Sequence, residues 1–366
     1  MKLIAQIKLQ PTKEQAKQLK ATMIAANGAA SHVSDFAWMA KKFRQYDLHH
    51  ALYYEVKAKF SLTAQMVVRV IAKVADAYKV DTKSKRTFSP LGSIAYDDRI
   101  LTWKLDKQMV SVWSLDGRLK MPFVAGQKQL DLLQYAQGEA DLILRNGEWY
   151  IHQTCDLPEP IGFDPDKWLG VDSGIVNIAT DSDGNVYSGK VVTAMRYRRR
   201  RQRRRLQAKQ TKSAKRVLKN LSGKERRFAT DVNHKISKEI VKHAERTGRG
   251  IILEDLKGIR ERVRLRAQRA PGQRDDLHSW SWYQLHGFIA YKGKLAGVPV
   301  KKVDPRNTSR KCSCCGYTDK ANRKSQSNFS CQQCNFSLNA DHNAAINLAG
   351  ALSTARTNQD RLLPLS

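Results

Sequence analysis

The chain has 366 residues, 41% of them hydrophobic, which is enough for two or three domains with sizeable cores. Its 65 basic residues stand against 34 acidic ones, a formal charge of +31 with a pI near 10. Self-repulsion on that scale implies a large polyanionic partner, nucleic acid first and an anionic membrane surface second. No apolar run reaches the roughly 18 residues that would span a bilayer.

The first ten residues alternate, with Leu3, Ala5, Ile7 and Leu9 on one side, which predicts a half-buried strand and not a secretion signal. Pro11 ends it, and Thr12-x-x-Gln15 reads as a capping box for a following helix. Helical periodicity then runs to about Tyr78. Val33, Phe36, Ala37 and Ala40 share one face, and Val67, Val70, Ile71 and Val74 another, as in a small helical bundle. Gln65, Arg69 and Lys73 fall at i, i+4 and i+8 on a polar face and are candidate nucleic-acid contacts, Gln65 being able to pair bidentately with adenine. From Thr87 to Cys155 the period becomes two, with strands predicted at Ile100–Leu105, Met109–Trp113 and Trp149–Cys155. Asn146-Gly147 and Asp116-Gly117 are the turn signals between them. The expectation is a small antiparallel barrel of residues 1–11 and 80–158, interrupted by a helical lobe at 12–79. Pro158, Pro160 and Pro165 mark a linker at 159–166.

A second domain opens at Lys167. Its first strand contains Asp172, a carboxylate that is costly there unless paired or bound to metal. Asp183-Gly184 predicts the next turn. From Arg196 to Arg216 the chain holds twelve basic residues and no acidic one. That density of like charge calls for phosphate, and Arg198, Arg199, Arg201, Arg203, Arg204 and Arg205 are its candidate ligands. Lys235 joins them on a helix at Asp231–Arg246. A buried strand ends in Glu254-Asp255, and residues 258–276 read as an arginine-rich loop, a candidate lid. A helix is expected from Trp280 to Ala296 and a strand from Pro299 to Val303, with a disordered tail at 353–366.

Between them lies the strongest local signal. Cys312-x-x-Cys315 and Cys331-x-x-Cys334 are spaced as two knuckles of a zinc ribbon, whose four thiolates close a tetrahedral structural site. Cys155 and Cys314 are left over. Free thiols beside a zinc pattern argue for a reducing, cytoplasmic compartment over a disulfide framework. Seven residues after the last cysteine comes Asp341, at the head of an apolar helix. Asp172, Glu254 and Asp341 together suit an α/β site where strand ends converge. Carboxylates brought within about 4 Å of shared cations make a hard-oxygen site for magnesium or manganese, and two such ions suit phosphodiester hydrolysis.

The motifs G-V-D-S-G, I-L-E-D-L, T-S-R-K-C-S-C-C-G and N-A-D-H-N-A-A-I-N-L-A, in that order, resemble the OrfB/TnpB family of insertion-sequence RNA-guided nucleases, transposon relatives of type V CRISPR effectors. The resemblance covers roughly residues 167–350. It implies a RuvC-like, ribonuclease-H-type nuclease at 167–304 and 339–352 with a zinc ribbon inserted at 305–338. It also implies an acid triad of Asp172, Glu254 and Asp341, and a wedge-like N-terminal barrel carrying a recognition lobe. A guide RNA transcribed from the element's end would direct it to double-stranded DNA, where base pairing reads sequence and the protein reads shape and a short duplex motif. The expectation is a monomer, cytoplasmic and associated with the nucleoid when bound to DNA. A guided DNA-binding regulator without cleavage and a compact type V CRISPR effector remain the alternatives.

Overall fold

The computed structural model describes residues 1–257 and 282–352. They divide into two compact units, Met1–Pro158 and a second beginning at Glu159. The candidate lid at 258–276 and the tail at 353–366 lie outside the described residues.

The first unit begins with strand β1 (Lys2–Leu9), whose Ala5, Ile7 and Leu9 are buried while Ile4 and its polar neighbours face out. Helices α1 (Lys13–Ala40), α2 (Gln45–Phe60) and α3 (Ala64–Val80) follow. The capping box forms: Gln15 N donates to Thr12 Oγ1 at 3.2 Å, and Thr12 N to Gln15 Oε1 at 3.0 Å. Then come β2 (Ile94–Tyr96), β3 (Leu101–Lys104), β4 (Met109–Ser114), β5 (Gly117–Val124), a short α4 (Gln127–Leu133), β6 (Ala136–Arg145) and β7 (Glu148–Asp156). The seven strands form one sheet in the order β2-β6-β7-β1-β5-β4-β3. Thus β1 is its central strand, antiparallel to β7 and β5 across the helical excursion. The edge strands β2 and β3 are joined by residues 97–100 alone, so the sheet curls until its ends approach. There Tyr96 Oη donates to the carbonyl of Trp113 at 2.8 Å. Asn146 and Gly147 both take positive φ, 54° and 83°, as a two-residue hairpin between β6 and β7 requires.

Helices and sheet share one core. Leu19, Met23 and Val33 of α1 and Val67, Ile71 and Val74 of α3 belong to the same buried cluster as Ile7, Val112 and Ile151. The helical segment therefore packs as a layer on the sheet instead of standing apart as a lobe.

The second unit is α/β. Its strands are β8 (Trp168–Asp172), β9 (Asn177–Asp181), β10 (Val186–Ser188), β11 (Gly250–Glu254) and β12 (Val300–Val303), in the order β10-β9-β8-β11-β12. The strands β8, β11 and β12 run parallel, and β9 is antiparallel to both its neighbours, β8 and β10. Helices α5 (Lys190–Lys209), α6 (Lys212–Leu221) and α7 (Lys224–Arg246) connect β10 to β11, and α8 (Trp282–Leu295) precedes β12. A small hairpin, β13 (Asn328–Ser330) with β14 (Ser337–Asn339), leads into α9 (Ala340–Gly350).

Alternation along β8 and β11 decides what covers each face. Leu169, Val171, Ile251 and Leu253 meet Ile236 and Ile240 of α7 and Leu285 and Ile289 of α8. On the other face Trp168 and Ile252 meet Leu348 of α9. Gly170 lies under α9, where a β-carbon would fall 2.0 Å from the carbonyl oxygen of Ala345 and 2.5 Å from the nitrogen of Ala349. Those are backbone atoms, so the clash cannot be relieved by a rotamer change. We expect Gly170→Ala to lose about 2–3 kcal/mol in denaturant unfolding; wild-type stability in that variant would contradict the close approach.

Candidate active site

Asp172 is the last residue of β8 and Glu254 the last of β11, and the parallel register Val171↔Leu253 brings them level at the carboxyl ends of adjacent strands. Asp341 arrives from the first turn of α9. Asn339 caps that helix, its Oδ1 accepting from Asp341 N at 3.0 Å and His342 N at 3.2 Å. A carboxylate suits the position, since the helix N-terminus carries positive partial charge. All three acids line one cavity of about 380 Å³, together with Ser173, Asn177, Thr308 and Arg323.

Burial first, then repulsion from Glu254 and Asp341, holds the Asp172 carboxyl well above the usual carboxylate range. Burial also raises Glu254, only 8% exposed, against the opposing pull of the Thr308 hydroxyl and Arg323. Thr308 Oγ1 donates to Glu254 Oε1 at 2.7 Å. Asn177 Nδ2 donates to Asp341 Oδ2 at 3.0 Å, and the Arg323 guanidinium stands 3.9 Å from its Oδ1. The cavity thus gathers like charge that the neighbouring groups offset only in part.

Beside Asp172, Ser173 Oγ lies 2.9 Å from Nε2 of His286. This resembles a nucleophile–base pair, yet both residues are buried and burial pulls His286 down to about 4. Its Nδ1 has no hydrogen-bond partner among the described residues, so no acid orients it as a base. The carboxylates, with their hard oxygen donors, are the chemically equipped groups here.

The four cysteines Cys312, Cys315, Cys331 and Cys334 come together with their Sγ atoms within 4.8 Å of one another, a set that could hold one metal ion. Cys314 is exposed and outside the set. Among the described residues no other such group is as tight; the three carboxylates are spaced more widely. Three asparagines hold this region together, two of them tying the first knuckle to the acid-bearing helix. Buried Asn322 donates to the carbonyls of Arg310 and Tyr317 at 2.9 and 3.2 Å and accepts from Gln332 N at 2.9 Å, joining the two halves. On α9, Asn343 accepts from Ser313 N at 3.0 Å and donates to the Lys311 carbonyl at 2.9 Å. Asn347 donates to the carbonyls of Thr308 and Lys311 at 2.9 and 2.7 Å. Sequence reasoning missed these residues along with Asn177, Thr308 and Arg323. The Asn343/Asn347 spacing of i, i+4, beginning two residues after Asp341, was the available signal.

The candidate nucleic-acid residues fare unequally. Gln65 donates to Asp97 and accepts from Arg99 at 3.1 Å. Arg69 pairs with Glu139. Lys73 Nζ bonds Asn27 Oδ1 at 2.9 Å and the Ser93 carbonyl at 2.5 Å, and burial lowers its pKa. The polar face of α3 is covered by β2 and its flanks, so these three head groups have partners within the fold. Arg198, Arg201, Arg203, Arg204 and Arg205 are exposed on α5. Arg199 is half-buried and donates to Gln202 at 2.9 Å. Arg203 also pairs with Glu225 at 2.8 Å, and Lys235 with Asp231 at 2.8 Å.

A family model described as "Probable transposase" (OrfB_IS605) matches residues 158–259, and one described as "Cas12f1-like, TNB domain" matches residues 282–348. Across these residues the chain is similar to the OrfB and Cas12f1-like families. The CRISPR-associated endodeoxyribonuclease Cas12f1 of Sulfoacidibacillus thermotolerans is 34% identical over 223 residues, 56% of this chain and 50% of that protein. The putative RNA-guided DNA endonuclease InsQ of Escherichia coli K12 is 29% identical over 225 residues, 56% of this chain and 54% of that one. The chain thus spans about half the length of these curated relatives in alignment. A solved Cas12f1–sgRNA–target DNA complex shares the fold at a TM-score of 0.57, covering 91% of this chain and 83% of that one at 15% identity. Among the described residues no helix is long and apolar enough to cross a membrane.

The raised carboxyls predict a pH dependence. Asp172 ionises near its ordinary value of 3.8 when unfolded and Glu254 near 4.5, but both hold their protons to higher pH when folded. Their contribution therefore falls as pH rises from about 4 through the folded values. Asp172→Asn should gain thermal stability over wild type as pH rises from 4 to 8, measured without divalent cations. A stability difference that does not change with pH would contradict the crowding.

Proposed function

We propose that the chain is an RNA-guided DNA endonuclease of a mobile genetic element, hydrolysing phosphodiester bonds at the cavity of Asp172, Glu254 and Asp341. The observation that carries this reading is the convergence of three carboxylates, two of them with raised pKa, at the carboxyl ends of parallel strands. The names of the relatives, an endodeoxyribonuclease and a putative RNA-guided DNA endonuclease, support it. So does the shared fold with a guide-RNA and target-DNA complex.

The donor set fits hard divalent cations, magnesium or manganese: three carboxylates, two of them raised chiefly by burial, with Arg323 standing 3.9 Å from Asp341. Such ions supply Lewis acidity toward phosphate and activate water. The chain's own groups do the positioning. Asn177 and Thr308 hold the Asp341 and Glu254 carboxylates in place, and Arg323 faces the space where a scissile phosphate would carry its charge. The four cysteines take structural zinc, the metal that suits four thiolates. Double-stranded DNA is the substrate and a guide RNA the resident partner, held in part by the exposed arginines of α5.

Two experiments test the reading. RNA co-purifying with the protein is sequenced, and a discrete species with a defined 3′ end is expected; random cellular RNA would refute guided recognition. With that RNA bound, Asp172→Ala should abolish cutting of a matched plasmid in magnesium while leaving DNA binding within about twofold, since the residue acts on chemistry and not on the duplex. Cutting at the wild-type rate would remove Asp172 from the site. For the ribbon, Cys331→Ser should release zinc, read by atomic emission, and unfold the region, because structural zinc contributes roughly 10 kcal/mol or more. Retained zinc at full stoichiometry would sink that assignment.

A further inference from the structure

A second cavity, of about 640 Å³, lies among α5, α6, α7 and α8. One helical stripe of α5 faces it: Arg196, Arg199 and Arg203, at i, i+3 and i+7. That is the stripe where a helix packing on its neighbours ordinarily places apolar residues. Guanidinium groups in such a position are costly without counter-charge. Among the described residues one carboxylate lines the cavity, Glu225, whose Oε1 is 3.5 Å from Arg196 Nε and whose Oε2 is 2.8 Å from Arg203. Arg199 donates to the neutral side chain of Gln202, and its buried Nε has no hydrogen-bond partner among the described residues. Leu218 and Leu221 of α6 also line the cavity as its apolar part.

Arg199, with no carboxylate partner among the described residues, selects an anion, and the leucines select an anion with a flat apolar part. We propose that this cavity takes a single nucleotide turned out of a bound nucleic-acid strand. Its phosphate meets Arg199, and its base lies between the leucines and the planar guanidiniums. Glu225 offers the acceptor that an exocyclic amino group of the base requires. The volume falls in the roughly 300–1,000 Å³ range of pockets that enclose small ligands. A continuous duplex would reach the cavity with phosphates alone and leave the apolar wall bare, so the occupant is an unstacked nucleotide. The proposal deepens the nucleic-acid-binding reading above and rests on it.

Thermal unfolding of the full chain with each ribonucleoside 5′-monophosphate, each deoxyribonucleoside counterpart, or inorganic phosphate at matched ionic strength tests it. At least one nucleotide should raise the melting temperature well beyond phosphate, and the ribose and deoxyribose arms identify the strand it comes from. Arg199→Gln should weaken that nucleotide about tenfold, the scale of one charge-assisted hydrogen bond, and Leu218→Trp, which fills the cavity, should remove the shift. Equal shifts with phosphate and nucleotides, or wild-type affinity in Arg199→Gln, would overturn the pocket whether or not Leu218→Trp folds. Mononucleotide binding needs no guide. Co-purified RNA without nucleotide binding therefore overturns the pocket alone, and nucleotide binding without a discrete RNA overturns guided recognition alone.

Discussion

Three carboxylates that repel one another are the constraint on which the second unit depends. No local force brings Asp172, Glu254 and Asp341 together; each arrives on an element held in place by something else. The strands β8 and β11 set two of them level by parallel pairing. The third is set by α9, which reaches the sheet because Gly170 has no side chain to hold it off. Raised pKa values at Asp172 and Glu254 record the electrostatic strain that this scaffold sustains. Such strain is characteristic of sites whose ligand, when bound, relieves it.

The cysteine knuckles belong to the same problem. Residues 305–338 sit between β12 and α9, so any looseness there would be passed to Asp341. Asn343 and Asn347 prevent that by hydrogen-bonding the backbone of the first knuckle from the helix itself, while Asn322 locks the first knuckle to the second. Thr308 and Arg323, on segments flanking and within the ribbon, reach back to Glu254 and Asp341. A cysteine cluster that looks like a separate module is therefore structurally continuous with the carboxylate cavity.

What the sequence revealed follows the range of the forces involved. The capping box at Thr12 and the Asn146-Gly147 hairpin depend on a few consecutive residues, and both form where expected. The cysteine spacing is likewise local chemistry. Strand ends bearing Asp172 and Glu254 were readable because a carboxylate in an apolar run demands an explanation. Side-chain fate on a helix surface was not readable, since it depends on what packs there. Gln65, Arg69 and Lys73 share a polar face of α3, but partners on β2, β6 and the segments beside them occupy their head groups. The arginine run of α5 looked uniform, whereas α6 and α7 divide it into a stripe facing a cavity and a stripe facing solvent. Nor did period-two strands and helical stripes indicate that the first unit's helices and sheet share one core.

That division of α5 bears on how so basic a chain can present an acidic site. A formal charge of +31 attracts any polyanion over a Debye length or more, and carboxylates alone would repel phosphate at contact. The two tendencies are compatible only if they act at different distances. On the proposed reading, exposed arginines on α5 would act at long range and without sequence preference, and the carboxylate cavity at contact, through the divalent cation proposed for it. Arg323 stands at the boundary, a positive charge on the wall of a negative cavity. A phosphate drawn in by the surface meets that guanidinium as it meets the carboxylates, so the local field turns from repulsive to mixed where chemistry would occur. The stripe of buried Arg196, half-buried Arg199 and exposed Arg203 would add a third regime, short-ranged yet cationic, suited to holding the proposed nucleotide in one place instead of gathering it from solution.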